Sequence, residues 1–148
     1  MAGALTARFD LPADPRAAGR ARRLVAELLA AWRRPETVEV AQLLVSEVVT
    51  NAVRFVGARG ALCLSLTLQT DRIRIAVDDG TAQHPALKPA GEDDESGRGM
   101  HLVAALALQW GVVDILDGQG PGKQVWFDLP RQPDPPRQED SLEAACGS

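Results

Sequence analysis

Apolar residues recur along this chain with two periods, and the switches between them mark out its elements. Residues 5–11 alternate as a short first strand, which Pro12 ends. Residues 16–34 change to helical spacing. Ala17, Ala21, Leu24, Val25, Leu28, Leu29 and Trp32 share one side, while arginines fill much of the other. Asp14-Pro15 supplies a start signal and Pro35 a stop. Residues 36–56 carry the strongest stripe, Val38, Ala41, Val45, Val48, Ala52 and Phe55, beside a second made of Val40, Leu44, Glu47, Asn51 and Arg54. A helix apolar on nearly two faces is packed over most of its girth, with Thr37 placed to cap it.

Gly57 and Gly60 then bracket a turn. Residues 61–69 and 72–77 return to period two, with Thr70 and Asp71 as a hairpin link. Continuing the second run turns Asp79 towards the core and Asp78 away from it, just before Gly80. Residues 81–96 show no period. Pro85, Pro89 and the acidic run from Glu92 to Glu95 predict a loop, and a loop of that length in a small domain is more often functional than idle. It ends in Ser96-Gly97-Arg98-Gly99-Met100, which runs into a helix with Leu102, Val103, Leu106 and Trp110 at helical spacing. Residues 110–116 and 123–129 read as two further strands around a Gly/Pro turn, paired at the far side of the sheet. Prolines and charges dominate from Pro130 onward. One domain over residues 1–130 and a disordered tail over 131–148 are expected.

Composition narrows the class. With 148 residues, 45% of them hydrophobic, one domain with a real core is expected. A formal net charge of −4 speaks against a general nucleic-acid binder. Cys63 and Cys146 make no disulfide framework and suit a reducing interior. No run reaches the length of a membrane span and no signal peptide precedes the domain, so a cytoplasmic protein is expected.

Several polar residues stand where an apolar side chain would serve the core. Glu47 and Asn51 lie four apart on one helix face. An amide oxygen can ligate Mg2+ without adding charge, and a carboxylate can take a proton or order the ion's waters. The same pair would also suit the exposed edge of an ordinary amphipathic helix. Asp79 is costly on the core side unless it accepts hydrogen bonds, and a purine amine is one such donor; a strand-end Asp-Asp-Gly turn is the plainer alternative. Gly97 and Gly99 at a helix start would let backbone N–H groups approach a phosphate, with Arg98 adding a charge-assisted contact. Lys123 follows the glycine turn, where its ammonium could reach a phosphate or simply face solvent.

The order of these features resembles the ATP-binding domain of the GHKL superfamily: Glu47-x-x-x-Asn51 on a helix, Asp79-Gly80 at a strand end, a lid closing on Gly97-x-Gly99, then a hairpin. The run LLVSEVVTNAV and the single-domain length look most like the bacterial anti-sigma-factor serine/threonine kinases. The resemblance covers about residues 5–129. It implies a Bergerat-type α+β two-layer sandwich, a mixed and mainly antiparallel sheet covered on one face by about three helices. It also implies ATP and Mg2+ as cofactors. Asn51 would be the metal ligand and Glu47 the general base. Asp79 would accept the adenine amine above Gly80 and Thr81. Gly97, Arg98, Gly99 and Met100 would border the triphosphate, with Lys123 nearby.

Four departures accompany the resemblance. The box usually read as D-x-G-x-G is here Asp79-Gly80-Thr81-Ala82-Gln83, and Asp78 is an alternative for the adenine role. Phe55 stands where many relatives carry histidine. The last strand begins Gly122-Lys123-Gln124, without the usual threonine. The implied partners are a sigma factor and an antagonist protein that the kinase phosphorylates, with a homodimer possible and no direct nucleic-acid or membrane contact. Two other functions fit the residues: a non-catalytic nucleotide sensor that selects protein partners, or a detached histidine-kinase ATPase domain. Against the last, His84 falls in the expected lid and His101 at a helix start, and no dimerisation helix precedes the domain.

Overall fold

The computed structural model describes residues 5–56, 61–79, 95–116 and 121–131. Five strands, β1 (Leu5–Pro12), β2 (Ala61–Leu68), β3 (Arg72–Asp79), β4 (Gln109–Leu116) and β5 (Pro121–Pro130), form one sheet in the order β1-β2-β3-β5-β4. All four pairings are antiparallel. Three helices, α1 (Ala17–Ala31), α2 (Val38–Val56) and α3 (Glu95–Leu106), complete the expected two-layer α+β sandwich, with no parallel pairing among the described strands. The predicted turns at residues 57–60 and 117–120, most of the acidic loop and the tail beyond Arg131 lie outside the described residues. No helix among the described residues is long and apolar enough to cross a membrane.

The period-two pattern builds the interface between the layers. Leu62, Leu64, Leu66 and Leu68 of β2, Ile73, Ile75 and Val77 of β3, and Val125, Phe127 and Leu129 of β5 are all buried. They meet Ala17, Ala21, Val25 and Leu29 of α1 and Ala41, Leu44, Val45, Val48, Val49 and Ala52 of α2 in one core. Burial of an aliphatic side chain contributes about 1.5–3 kcal/mol each, and this contact fixes the register of both layers. Arg22 ties α1 to α2: its guanidinium donates to Ser46 Oγ at 3.0 Å, and its carbonyl accepts from Gln42 Nε2 at 3.1 Å.

Helix ends depart from expectation. Asp14 lies in the turn before α1, its Oδ1 accepting the Arg16 N–H at 2.8 Å, while Arg16 is the N-cap and no side chain caps the helix. Pro35 does not stop it. The helix ends at Ala31, where Arg33 turns left-handed (φ 60). The Arg34 N–H then returns to the Leu29 carbonyl and the Arg33 N–H to the Ala30 carbonyl, a Schellman closure. Pro35–Thr37 forms a separate 3-10 turn, so α2 begins at Val38 rather than residue 36, with Thr37 buried just before it. Among the described side chains of α3, Met100 and Val103 are buried, while Leu102 and Leu106 are exposed. Trp110 belongs to β4, paired with Phe127, and not to the helical stripe.

The sheet face away from the helices carries a polar cluster. Asp128 is fully buried there, accepting from Arg74 at 2.7 and 2.9 Å and from Gln109 at 2.7 Å, with Arg72 at 3.5 Å. Arg74 also lies over the Trp126 ring, 4.0 Å from its centroid. Trp126 fits because its cross-strand neighbour is Gly111, where a Cβ would come within 2.9 Å of the indole. Burial pushes the Asp128 carboxyl upward, but the hydrogen bonds from Arg74, Gln109 and Arg72 and the charge of Arg74 outweigh it. The group titrates below the usual aspartate value.

Candidate functional site

Strand and helix geometry bring four of the expected site residues to one place. Asn51 lies in the C-terminal half of α2, on the side turned to the sheet, and is 5% exposed. Asp79, the last residue of β3, keeps the inward alternation of Ile73, Ile75 and Val77 and is 6% exposed. Met100 of α3 is buried against the same point. Together with Val48 and Ala52 of α2 and with Lys123 and Val125 of β5, they enclose about 10 Å³, room for a single water.

Lys123 is the departure. It is not at the surface, being 1% exposed. Its Cα pairs in register with that of Asp79, and its Nζ stands 3.5 Å from Asp79 Oδ2. At that separation the contact joins two charges rather than forming a good hydrogen bond, and Oδ2 has no hydrogen bond. Burial pulls the Lys123 ammonium below the ordinary lysine range, and the Asp79 carboxylate opposes that shift. The signal for its burial was in the sequence: counting back by twos from Leu129, Phe127 and Val125 arrives at Lys123. One residue along, Gln124 opposes Asp78 on the open face and donates to its Oδ1 at 2.8 Å. Lys123 and Gln124, side by side at the start of β5, thus each answer one of the two aspartates. Asp78 is turned away from the pocket.

Asn51 Nδ2 is buried and has no hydrogen-bond partner among the described residues. An orphaned amide donor costs about 1–3 kcal/mol, so its retention points to a ligand or water at this spot. Glu47, one turn earlier on the same helix face, is half-buried and does not line the pocket among the described residues. Gly97, Arg98 and Gly99 fall inside the first turns of α3, which starts at Glu95, and not in a loop before it. The N–H groups of a helix's first turn lack intrahelical acceptors, and Gly97 lies in that turn, while Arg98 and Gly99 move into the second. Gly80 and Thr81 lie outside the described residues. His101 lies within α3.

Among the described residues no three His, Cys, Asp or Glu side chains gather as a metal cage. That donor set does suit Mg2+, which keeps several waters and takes one or two protein ligands beside substrate phosphates. Asn51 would be such a ligand. A larger hollow of about 540 Å³ lies between β1 and α1, lined in part by Arg8, Arg20 and Arg23. It contains none of the expected nucleotide-binding residues and no buried polar side chain, so the smaller pocket is the candidate site.

Comparison with known proteins agrees with the fold. Residues 11–129 match the family described as Histidine kinase-like ATPase domain. Comparison with curated protein sequences gave no match. Among solved structures, the catalytic domain of the histidine kinase ThkA has a TM-score of 0.52 at 11% identity, covering 84% of this chain and 96% of that one. Another crystal form of that domain gives 0.51 at 11% identity, with 86% and 99% covered. At such identity the likeness is one of fold.

Proposed function

This chain belongs to the histidine kinase-like ATPase domain family, and from that premise we propose that it binds ATP with Mg2+ and acts as an anti-sigma-type serine/threonine kinase in a partner-switching circuit. The observation that carries the reading is the buried, unsatisfied Asn51 amide turned into a pocket that ends on the Asp79 carboxylate. Asp79 accepts a base N–H. Asn51 would hold the metal through its oxygen, leaving its N–H for a phosphate or water acceptor, and the Gly97 N–H in the first turn of α3 would face the phosphates. Bound Mg2+ supplies charge neutralisation for the transferred phosphoryl group. Glu47, a turn away from Asn51, takes the proton of the acceptor hydroxyl on an antagonist protein. By this reading a sigma factor and that antagonist compete for the domain according to its nucleotide state.

The test is phosphorylation of a co-encoded antagonist by purified protein with Mg2+ and ATP, alongside Glu47→Ala. Turnover in the wild type, lost by about a hundredfold or more in the variant with ATP affinity kept, is expected. Absence of any phosphorylated antagonist refutes the kinase half.

A second reading, a nucleotide sensor without catalysis, is favoured by the Asp79–Lys123 pair, which occupies the base end of the site. In a sensor, Glu47→Ala leaves partner affinity unchanged and there is no turnover to lose.

A further inference from the structure

A pocket with space for one water cannot admit a purine as it stands, and the side chain that shares its floor with Asp79 is Lys123. Both groups of the pair are sealed from solvent, at 1% and 0% side-chain exposure. The carboxylate oxygen facing the ammonium is thereby withheld from any other donor. We propose that Lys123 is the residue that sets nucleotide affinity here: its ammonium occupies Asp79 in the empty protein, and an entering base must displace it. This rests on the reading of Asp79 as the base acceptor.

The sheet offers the displaced ammonium a second seat. On β4, Asp114 pairs in register with Lys123 from the side opposite to Asp79, and it is exposed. Directly opposed cross-strand side chains have Cβ atoms about 5 Å apart, well within the sweep of a lysine. The ammonium can therefore pass from a buried carboxylate to a solvated one on the same face of the sheet. The other residues lining the pocket, Val48, Asn51, Ala52, Met100 and Val125, carry no charge. The move exchanges an ion pair inside the core for one at its rim. Since only the opened form receives a base, apparent affinity is reduced by the fraction of molecules that are open.

Titration calorimetry with ATP-Mg2+ tests this on four proteins. Lys123→Thr and Lys123→Ala empty the position and should bind about tenfold tighter than wild type, or better. Lys123→Arg keeps a cation against Asp79 and should stay within about threefold of wild type. If wild type binds and the small variants bind no tighter, or if the arginine variant gains as much as they do, Lys123 is not the gate and the nucleotide reading survives alone. If no protein binds, both fall. Should the small variants not fold, the wild type still decides. With Lys88 as the only other lysine, the Lys123 ammonium is resolvable by 15N-lysine NMR. Saturating ATP-Mg2+ should shift that signal, and an unmoved signal with nucleotide bound overturns the proposal.

Discussion

Asp79 and Lys123 face each other across the β3–β5 seam in direct register, their charged groups 3.5 Å apart. Asp79→Asn leaves the buried ammonium against a neutral amide, which should cost about 3 kcal/mol of stability by chemical denaturation. The same change presents an N–H to an incoming base, so ATP affinity should fall too. Adding Lys123→Thr should recover most of the stability and none of the binding. Recovery of both would show that Asp79 does not contact nucleotide.

Asn51→Ala removes a buried donor that has no partner, while also opening a small void. These opposing terms should leave stability within about 1 kcal/mol of wild type. ATP-Mg2+ affinity should drop about tenfold or more, and the difference between the two proteins should vanish when Mg2+ is chelated. A defect that persists without the metal would mean that Asn51 contacts nucleotide directly.

Asp128 gives the fold an acid-sensitive point far from the pocket. Unfolded, an aspartate titrates near ~3.9; folded, Asp128 titrates lower, so its contribution is present above the unfolded value and lost as pH falls through the folded one. Thermal melting should be steady above about pH 5 and fall below about pH 4. Other carboxylates share that slope, so the comparison is with Asp128→Asn. The variant should be about 2–3 kcal/mol less stable at neutral pH, with the gap narrowing in acid. A constant gap would assign the loss to packing.

Arg33 holds the left-handed position that closes α1, where a side chain is disfavoured. Arg33→Gly should raise stability by about 1 kcal/mol by chemical denaturation, with no change in ATP binding. A loss would mean that the arginine side chain contributes more than the backbone costs.

Most of the architecture could be read from the chain because burial on one face imposes a strict period. β2 and β3 emerge from their alternating leucines and isoleucines, and the inward placement of Asp79 follows from the same count. Helix boundaries were less legible. Pro35 is a strong signal, but Arg33 ends α1 earlier through a backbone conformation that its identity does not advertise. The glycines of 97–99 read as a loop, yet they sit within α3 because its packing through Met100 and Val103 outweighs their weak helix propensity. At Lys123, residue type and pattern point in opposite directions. Lysine is rarely buried, but β5 alternates through it, and the strand order that sets Asp79 opposite cannot be deduced from period alone. The Asp128 cluster was invisible for a similar reason, since its members come from three strands.

Strand order also fixes when this protein becomes complete. β5 is inserted between β3 and β4, so a growing chain that has made Asp79 carries an open hydrogen-bonding edge until the last strand is synthesised. During that interval nothing downstream shields the acid at the end of β3, and the floor of the pocket does not exist. On the proposed reading, nucleotide is captured only after residue 130 has left the ribosome. Truncation ahead of β5 yields a fragment disposed to pair with its own copies.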